Sequence, residues 1–115
     1  MLFICYPKCT TCQKAKRFLD DHDIEYDLRD IKEQKPTADE LREWHRLSGL
    51  PLKKFFNTSG MLYKQMDLKN KIPGMTDDEI YELLSTDGML VKRPISINGD
   101  KVFVGFRASE YSSLL

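Results

Sequence analysis

Apolar positions change their spacing along this chain, and each change marks an element. Leu2-Phe3-Ile4-Cys5-Tyr6 is a continuous apolar run, which predicts a buried first strand. From about Thr11 to His22 the period lengthens. Cys12, Ala15, Phe18 and Leu19 fall on or near one helix face, with Lys14, Lys16 and Arg17 around the other. Ile24 to Ile31 then alternates apolar with charged residues and predicts a half-buried second strand. This strand-helix-strand unit has the length of a right-handed crossover between parallel strands.

A second helix opens at Pro36-Thr37, where Thr37 and Glu40 form a capping box. Leu41, Trp44 and Leu47 recur at helical spacing, and Gly49 and Pro51 close the helix. Leu52 to Leu68 is irregular, with Phe55-Phe56 expected in the core and Asn57-Thr58-Ser59-Gly60 read as a turn. Thr76 and Glu79 make another capping box for a third helix, which carries Ile80, Leu83 and Leu84 to a stop near Gly88. Met89-Leu90-Val91 leads into Lys92-Arg93-Pro94. Two alternating runs, Ile95 to Asn98 and Lys101 to Phe106, meet at Asn98-Gly99-Asp100 as a β-hairpin. Ala108 to Leu115 is read as a short final helix. The chain carries no repeat, linker or low-complexity segment.

Composition narrows the class. With 115 residues, 41% hydrophobic and 31% charged, the chain is expected to form a single soluble domain over 1–115, with length for one core and not for two. The 18 basic and 18 acidic side chains cancel, so no global field draws the protein to nucleic acid or to a membrane, and any anion site must be local. No apolar run approaches the roughly 20 residues that span a bilayer, and the N-terminus lacks the basic segment and cleavage site of a secretory signal. The expected location is the cytoplasm.

The chemistry concentrates in Tyr6-Pro7-Lys8-Cys9-Thr10-Thr11-Cys12-Gln13-Lys14-Ala15-Lys16. A C-x-x-C pair follows the first strand and opens the first helix, which is the geometry of thiol redox chemistry. A thiol at the start of a helix meets unpaired N–H groups and the positive end of the helix dipole, both of which favour a thiolate. Cys9 is therefore the candidate nucleophile. Cys12, one turn further in, is the candidate resolving thiol that attacks a mixed disulfide on Cys9. Cys5 lies within the strand and reads as a buried packing thiol. Cys5, Cys9 and Cys12 together also spell the spacing of radical-SAM cluster ligands, but the first would sit in a strand and the chain is too short for a barrel. His22 and His45 match no familiar zinc spacing and read as exposed helix residues. No metal and no organic cofactor is implied.

The order β-α-β, helices, β-β, α together with the dithiol describes an α/β, thioredoxin-like (glutaredoxin-like) domain with a mixed sheet and a central helical insertion. Three segments sharpen this. Tyr6 to Ala15, Leu90-Val91-Lys92-Arg93-Pro94-Ile95 and Val104-Gly105-Phe106-Arg107 resemble the arsenate-reductase-like family, which includes the thiol arsenate reductases and the Spx redox regulators. The resemblance spans nearly the whole chain. It implies that Cys9 is the reactive cysteine, that Arg93 and Arg107 are basic residues beside it, and that Pro94 is the cis-proline facing the active site. The function it suggests is reduction of a small or protein disulfide, with Cys9 activated by the helix amides, Lys8 and Arg93, and with a cellular thiol reductant restoring the dithiol. Pro94 denies an N–H to that site and leaves the preceding carbonyl for an extended substrate backbone.

Two further readings come with the resemblance. The Spx regulators share the dithiol and act by binding RNA polymerase, so the pair is alternatively a sensor switch. The expectation that those regulators continue further beyond Arg107 weighs against it. The arsenate reductases use three arginines to hold their oxyanion. Arg93 and Arg107 match two of them, but Asn57-Thr58-Ser59-Gly60 stands where the first belongs, and Lys64 is the nearest cation in sequence. A lysine supplies a point charge without the planar fork, and Cys12 competes with the glutathione those enzymes use, so weak arsenate reduction is expected.

Overall fold

The computed structural model describes residues 1–115 as a four-stranded sheet with helices on both faces. The strands are β1 (Leu2–Cys5), β2 (Asp27–Asp30), β3 (Ile95–Asn98) and β4 (Lys101–Val104), in spatial order β2-β1-β3-β4. β1 runs parallel to β2 and antiparallel to β3, and β3 and β4 form the expected hairpin with Gly99 at φ 63° in its turn. Such a turn position suits glycine because a Cβ is disfavoured at positive φ. The mixed sheet and the central helical insertion are those expected of a thioredoxin-like fold.

Period 2 divides β1 between two cores. Ile4 faces α2 (Ala38–Ser48) and α5 (Asp77–Ser85), where Leu41, Trp44, Ile80, Leu84 and Ile95 pack with it. Phe3 and Cys5 face the opposite way, toward α1 (Thr10–Asp21) and α6 (Ala108–Tyr111), and join Cys12, Ala15, Leu19 and Tyr111. Ser96 is buried on this second side, where its hydroxyl bonds the Tyr111 hydroxyl. Both capping boxes form, Thr37 with Glu40 and Thr76 with Glu79, and Gly49 closes α2 in the left-handed conformation. Each box satisfies two helix amides that would otherwise lack partners.

Four sequence expectations change in the structure. Where the length suggested a single core, there are two, one on each face of the sheet. β2 is shorter than the alternating run, and Leu28 is 57% exposed. As an edge strand β2 turns Arg29 toward α2, where Glu40 accepts from both terminal guanidinium nitrogens at 2.6 and 2.9 Å and Trp44 lies 5.9 Å from the guanidinium carbon. An ion pair thus takes the inward place that alternation assigned to an apolar side chain. The third predicted helix stops at Ser85, and Asp87 then caps a 3-10 turn over Gly88–Leu90 by accepting from the Met89 amide at 2.8 Å. His45 is partly buried: its Nδ1 is 2.7 Å from the Tyr81 hydroxyl and its ring meets Phe55 edge-on.

The irregular stretch between α2 and α5 contains a 3-10 turn (Leu52–Phe55) and two short helices, α3 (Met61–Gln65) and α4 (Leu68–Lys71). Phe55 and Phe56 are buried, as expected. They anchor a short antiparallel pairing with the segment before β3: Lys92 donates to Phe55 at 2.7 Å, Asn57 donates to Leu90 at 2.8 Å, and Phe56 bridges Val91. Gly88 lets this segment pass the end of β2, since a Cβ there would lie 1.9 Å from the Ile31 carbonyl oxygen. No helix is long and apolar enough to cross a membrane. Gly88→Ala is expected to cost about 1–3 kcal/mol through the forced backbone shift, read as a lowered thermal midpoint; an unchanged midpoint would contradict this packing.

Candidate functional site

β1 delivers the chain to the dithiol through a tight turn. The Cys9 amide donates to the Tyr6 carbonyl at 3.0 Å, and the Gln13 side-chain amide donates to the Pro7 carbonyl at 2.8 Å. Cys9 is the N-cap of α1, with extended backbone at φ −89° and ψ 123°, and no side-chain oxygen caps the helix. Its sulfur sits at the position of an ordinary Ser, Asp or Asn cap but makes no capping hydrogen bond.

Burial alone would push the Cys9 thiol up. The Cys12 amide, the Cys12 thiol and the Arg93 guanidinium outweigh that and hold Cys9 below the ordinary thiol value. Cys12 behaves oppositely. It is fully buried, hydrogen-bonded to the Cys5 thiol and close to the charge on Cys9, and these together push its thiol strongly up against the opposing Tyr6 amide, which donates to its sulfur at 3.4 Å. The two thiols of the motif are thus split into one that ionises readily and one that keeps its proton. All three cysteines are free thiols here.

Arg93 reaches the site from the start of β3. Its guanidinium carbon stands 5.1 Å from the centre of the Tyr6 ring, and its Nε and one terminal nitrogen are buried with no hydrogen-bond partner in the protein. Cation–π contact with Tyr6 holds the group in place while leaving those donors unspent. The Arg93-Pro94 peptide is cis, and the Pro94 carbonyl accepts from the Gly105 amide at 2.8 Å. The pairing with residues 55–57 ends at Lys92, so the Arg93 amide and carbonyl make no backbone hydrogen bond of their own.

A hollow of about 350 Å³ opens over Cys9, walled by Lys8, Thr10, Thr11, Asn57, Ser59, Gly60, Lys92 and Arg93. Of the residues expected at the site, Cys9, Lys8 and Arg93 are brought together there, with Cys12 buried one turn below and Pro94 buried behind Arg93. Arg107 is not among them. It lies at the start of α6, exposed, on an adjoining cleft of about 820 Å³ that shares Thr11 and Lys92 with the hollow. Lys64 lines neither, so the sequence-nearest cation does not stand in for the missing arginine. Sequence reasoning missed Lys92 and Tyr6 as parts of the site, and it placed the Asn57 turn there only as the position of an absent arginine. The turn was legible, but what pulls it to Cys9 is the pairing of residues 55–57 with 90–92, for which only the buried Phe55-Phe56 pair gave a signal.

The class that this architecture defines is the thioredoxin-like α/β fold, with a dithiol at the first helix start and a cis-proline beside it. The comparisons with known proteins give the family: residues 5–114 match the ArsC family, and the chain belongs to it. It is 50% identical over 111 residues to the Bacillus subtilis protein YusI, covering 96% of this chain and 94% of that one. It is 32% identical over 114 residues to the regulatory protein MgsR of the same organism, covering 99% and 89%. Among solved structures, an ArsC family related protein from Bacteroides fragilis superposes with a TM-score of 0.97 at 51% identity, covering 99% of this chain and 96% of the other.

Because the Arg93 guanidinium helps the Cys12 amide and thiol to hold Cys9 down, Arg93→Ala should raise the Cys9 pKa and shift thiolate formation to higher pH. Ultraviolet thiolate absorbance against pH in the Cys12→Ser background checks this, and an unchanged titration would remove Arg93 from the activation of Cys9.

Proposed function

We propose that this protein is a cytoplasmic thiol-disulfide oxidoreductase that works through Cys9 and Cys12. The observation that supports it best is the division of labour between the two thiols: Cys9 is partly exposed and held toward thiolate at a helix start, while Cys12 is buried one turn behind it. Cys9 thiolate attacks one sulfur of a substrate disulfide, forming a mixed disulfide and releasing the other half as a thiolate. Cys12, on losing its proton, attacks the Cys9 sulfur, releasing the second half and closing a Cys9–Cys12 disulfide. Two electrons have then passed to the substrate, and a cellular dithiol or pair of thiols returns them to the protein. The open backbone of Arg93 offers one donor and one acceptor to an extended substrate chain.

A second reading is a redox-sensing regulator that binds RNA polymerase, and the similarity to the regulatory protein MgsR along 99% of the chain favours it. In that reading the same dithiol is the switch. A pull-down against RNA polymerase, run beside a turnover assay with a disulfide substrate, separates the two.

Cys9→Ser should lower disulfide turnover by roughly a thousandfold or more, as loss of a nucleophile does. Cys12→Ser should instead trap the substrate half on Cys9, seen as an added mass on the intact protein. Mild oxidation of the native protein should link Cys9 to Cys12 and leave Cys5 free in peptide mapping, and a dominant bridge through Cys5 would reassign the roles.

Arsenate should be a poor substrate. The hollow presents one arginine and two lysines around Cys9, where arginine forks suit a multiply charged oxyanion better than point charges do. Asn57, Ser59 and Gly60 form the wall that an arginine would need to share. Arsenate-dependent oxidation of a coupled thiol system is expected to run well below disulfide reduction by the same preparation. Arsenate turnover exceeding disulfide turnover would overturn this assignment.

A further inference from the structure

The larger cleft beside the Cys9 hollow has a charge that the chain as a whole lacks. Lys53 and Lys54 rim it from the 3-10 turn, Lys92 joins it to the hollow, and Arg107 stands at its far side, against one carboxylate, Glu110. None of these four cleft cations forms an ion pair with a carboxylate. In a chain with equal numbers of basic and acidic side chains, four unpaired cations around one depression are a local positive field. Between them lie Tyr63 and Phe106, both half-buried, as an apolar floor.

Size and direction add to this. At about 820 Å³ the cleft has more than twice the volume of the hollow, about 350 Å³, and it meets the hollow at Thr11 and Lys92. A substrate whose sulfur reaches Cys9 can continue into the cleft without leaving the surface. At the junction, the backbone of Arg93 is free to pair with an extended chain. A small neutral disulfide would use the hollow and leave Lys53, Lys54 and Arg107 idle.

We propose that the cleft binds an acidic polypeptide segment, so that the substrate of the oxidoreductase reading is a peptide or protein disulfide with Asp or Glu within a few residues of the reactive half-cystine. Its carboxylates meet Lys53, Lys54, Lys92 and Arg107, its apolar side chains rest on Tyr63 and Phe106, and its main chain crosses at Arg93. This claim rests on the function proposed above, but binding in the cleft can be read without turnover.

The experiment uses the full chain and two synthetic peptides of equal length, one with Asp and Glu flanking a half-cystine and one with Asn and Gln in their place. Each is supplied as a mixed disulfide with 2-thiopyridine for turnover, and as a fluorescent Cys→Ser version for binding by anisotropy. The acidic peptide should be preferred by about tenfold in kcat/KM at low ionic strength, the sum expected of a few exposed charge contacts. It should show the same preference in anisotropy, and lose it as salt rises. In the Lys53→Glu/Lys54→Glu variant the ratio should fall to one or below. Both substitutions are at exposed positions, and circular dichroism checks that the fold is kept. Equal rates and equal binding for the two peptides would overturn the cleft proposal, as would glutathione disulfide outpacing both. Tight, salt-sensitive binding of the acidic peptide with no turnover of any disulfide would uphold the cleft and sink the oxidoreductase reading instead.

Discussion

β1 and β3 lie antiparallel at the centre of the sheet with Ile4 opposite Ile95, and this pairing decides what can meet Cys9. β1 ends where β3 begins, so the turn that leads to α1 and the Arg93-Pro94 step share one end of the sheet. Residues more than eighty positions apart in the chain therefore face each other across the hollow. A slip of one residue in this register would move the start of β3 by about 3.3 Å and turn every side chain of the strand to the other face. Ile95 would then leave the larger core and Ser96 would lose Tyr111. The register is thus held by two cores at once, and the chemistry inherits its accuracy from packing that takes no part in it.

The insertion plays the opposite role, since its turns wall the site, with Asn57, Ser59 and Gly60 on the hollow and Lys53 and Lys54 on the cleft. Its 55–57 segment pairs with 90–92 and then stops, one residue before Arg93. Had the pairing continued, the Arg93 backbone would be consumed internally. The same segment brings the Asn57 turn to one side and Lys53 and Lys54 to the other, so a single stretch sets both the shape near the sulfur and the charge further out.

Much of this was readable from local signals. The C-x-x-C at a strand-to-helix junction, both capping boxes and the Asn98-Gly99 hairpin each rest on chemistry within a few residues, and all took the expected form. What was not readable depends on pairings between distant segments. β2 looked half-buried by alternation, but as an edge strand it turns Arg29 inward, and only the presence of Glu40 on α2 makes that tolerable. Arg107 and Lys64 were placed by proximity in sequence or by family pattern, and the fold moved the first to the cleft and left the second outside both cavities. Lys92 escaped notice because nothing local distinguishes a lysine before an arginine from any solvated side chain.

The burial of Cys12 gives the proposed reaction an internal order. Among the effects that keep its proton on are the hydrogen bond with Cys5, loss of water, and the negative charge on Cys9. The first two are fixed by the fold. The third exists only while Cys9 is a thiolate and disappears when Cys9 forms a mixed disulfide, which carries no charge at that sulfur. Attack on substrate therefore removes one of the forces that hold Cys12 neutral, at the moment when a second thiolate becomes useful. The donor to Cys12, the Tyr6 amide at 3.4 Å, is unaffected by this change and remains to stabilise the new charge. Before substrate arrives, the same repulsion keeps the two thiols from ionising together, so the free protein holds one nucleophile in reserve behind the other.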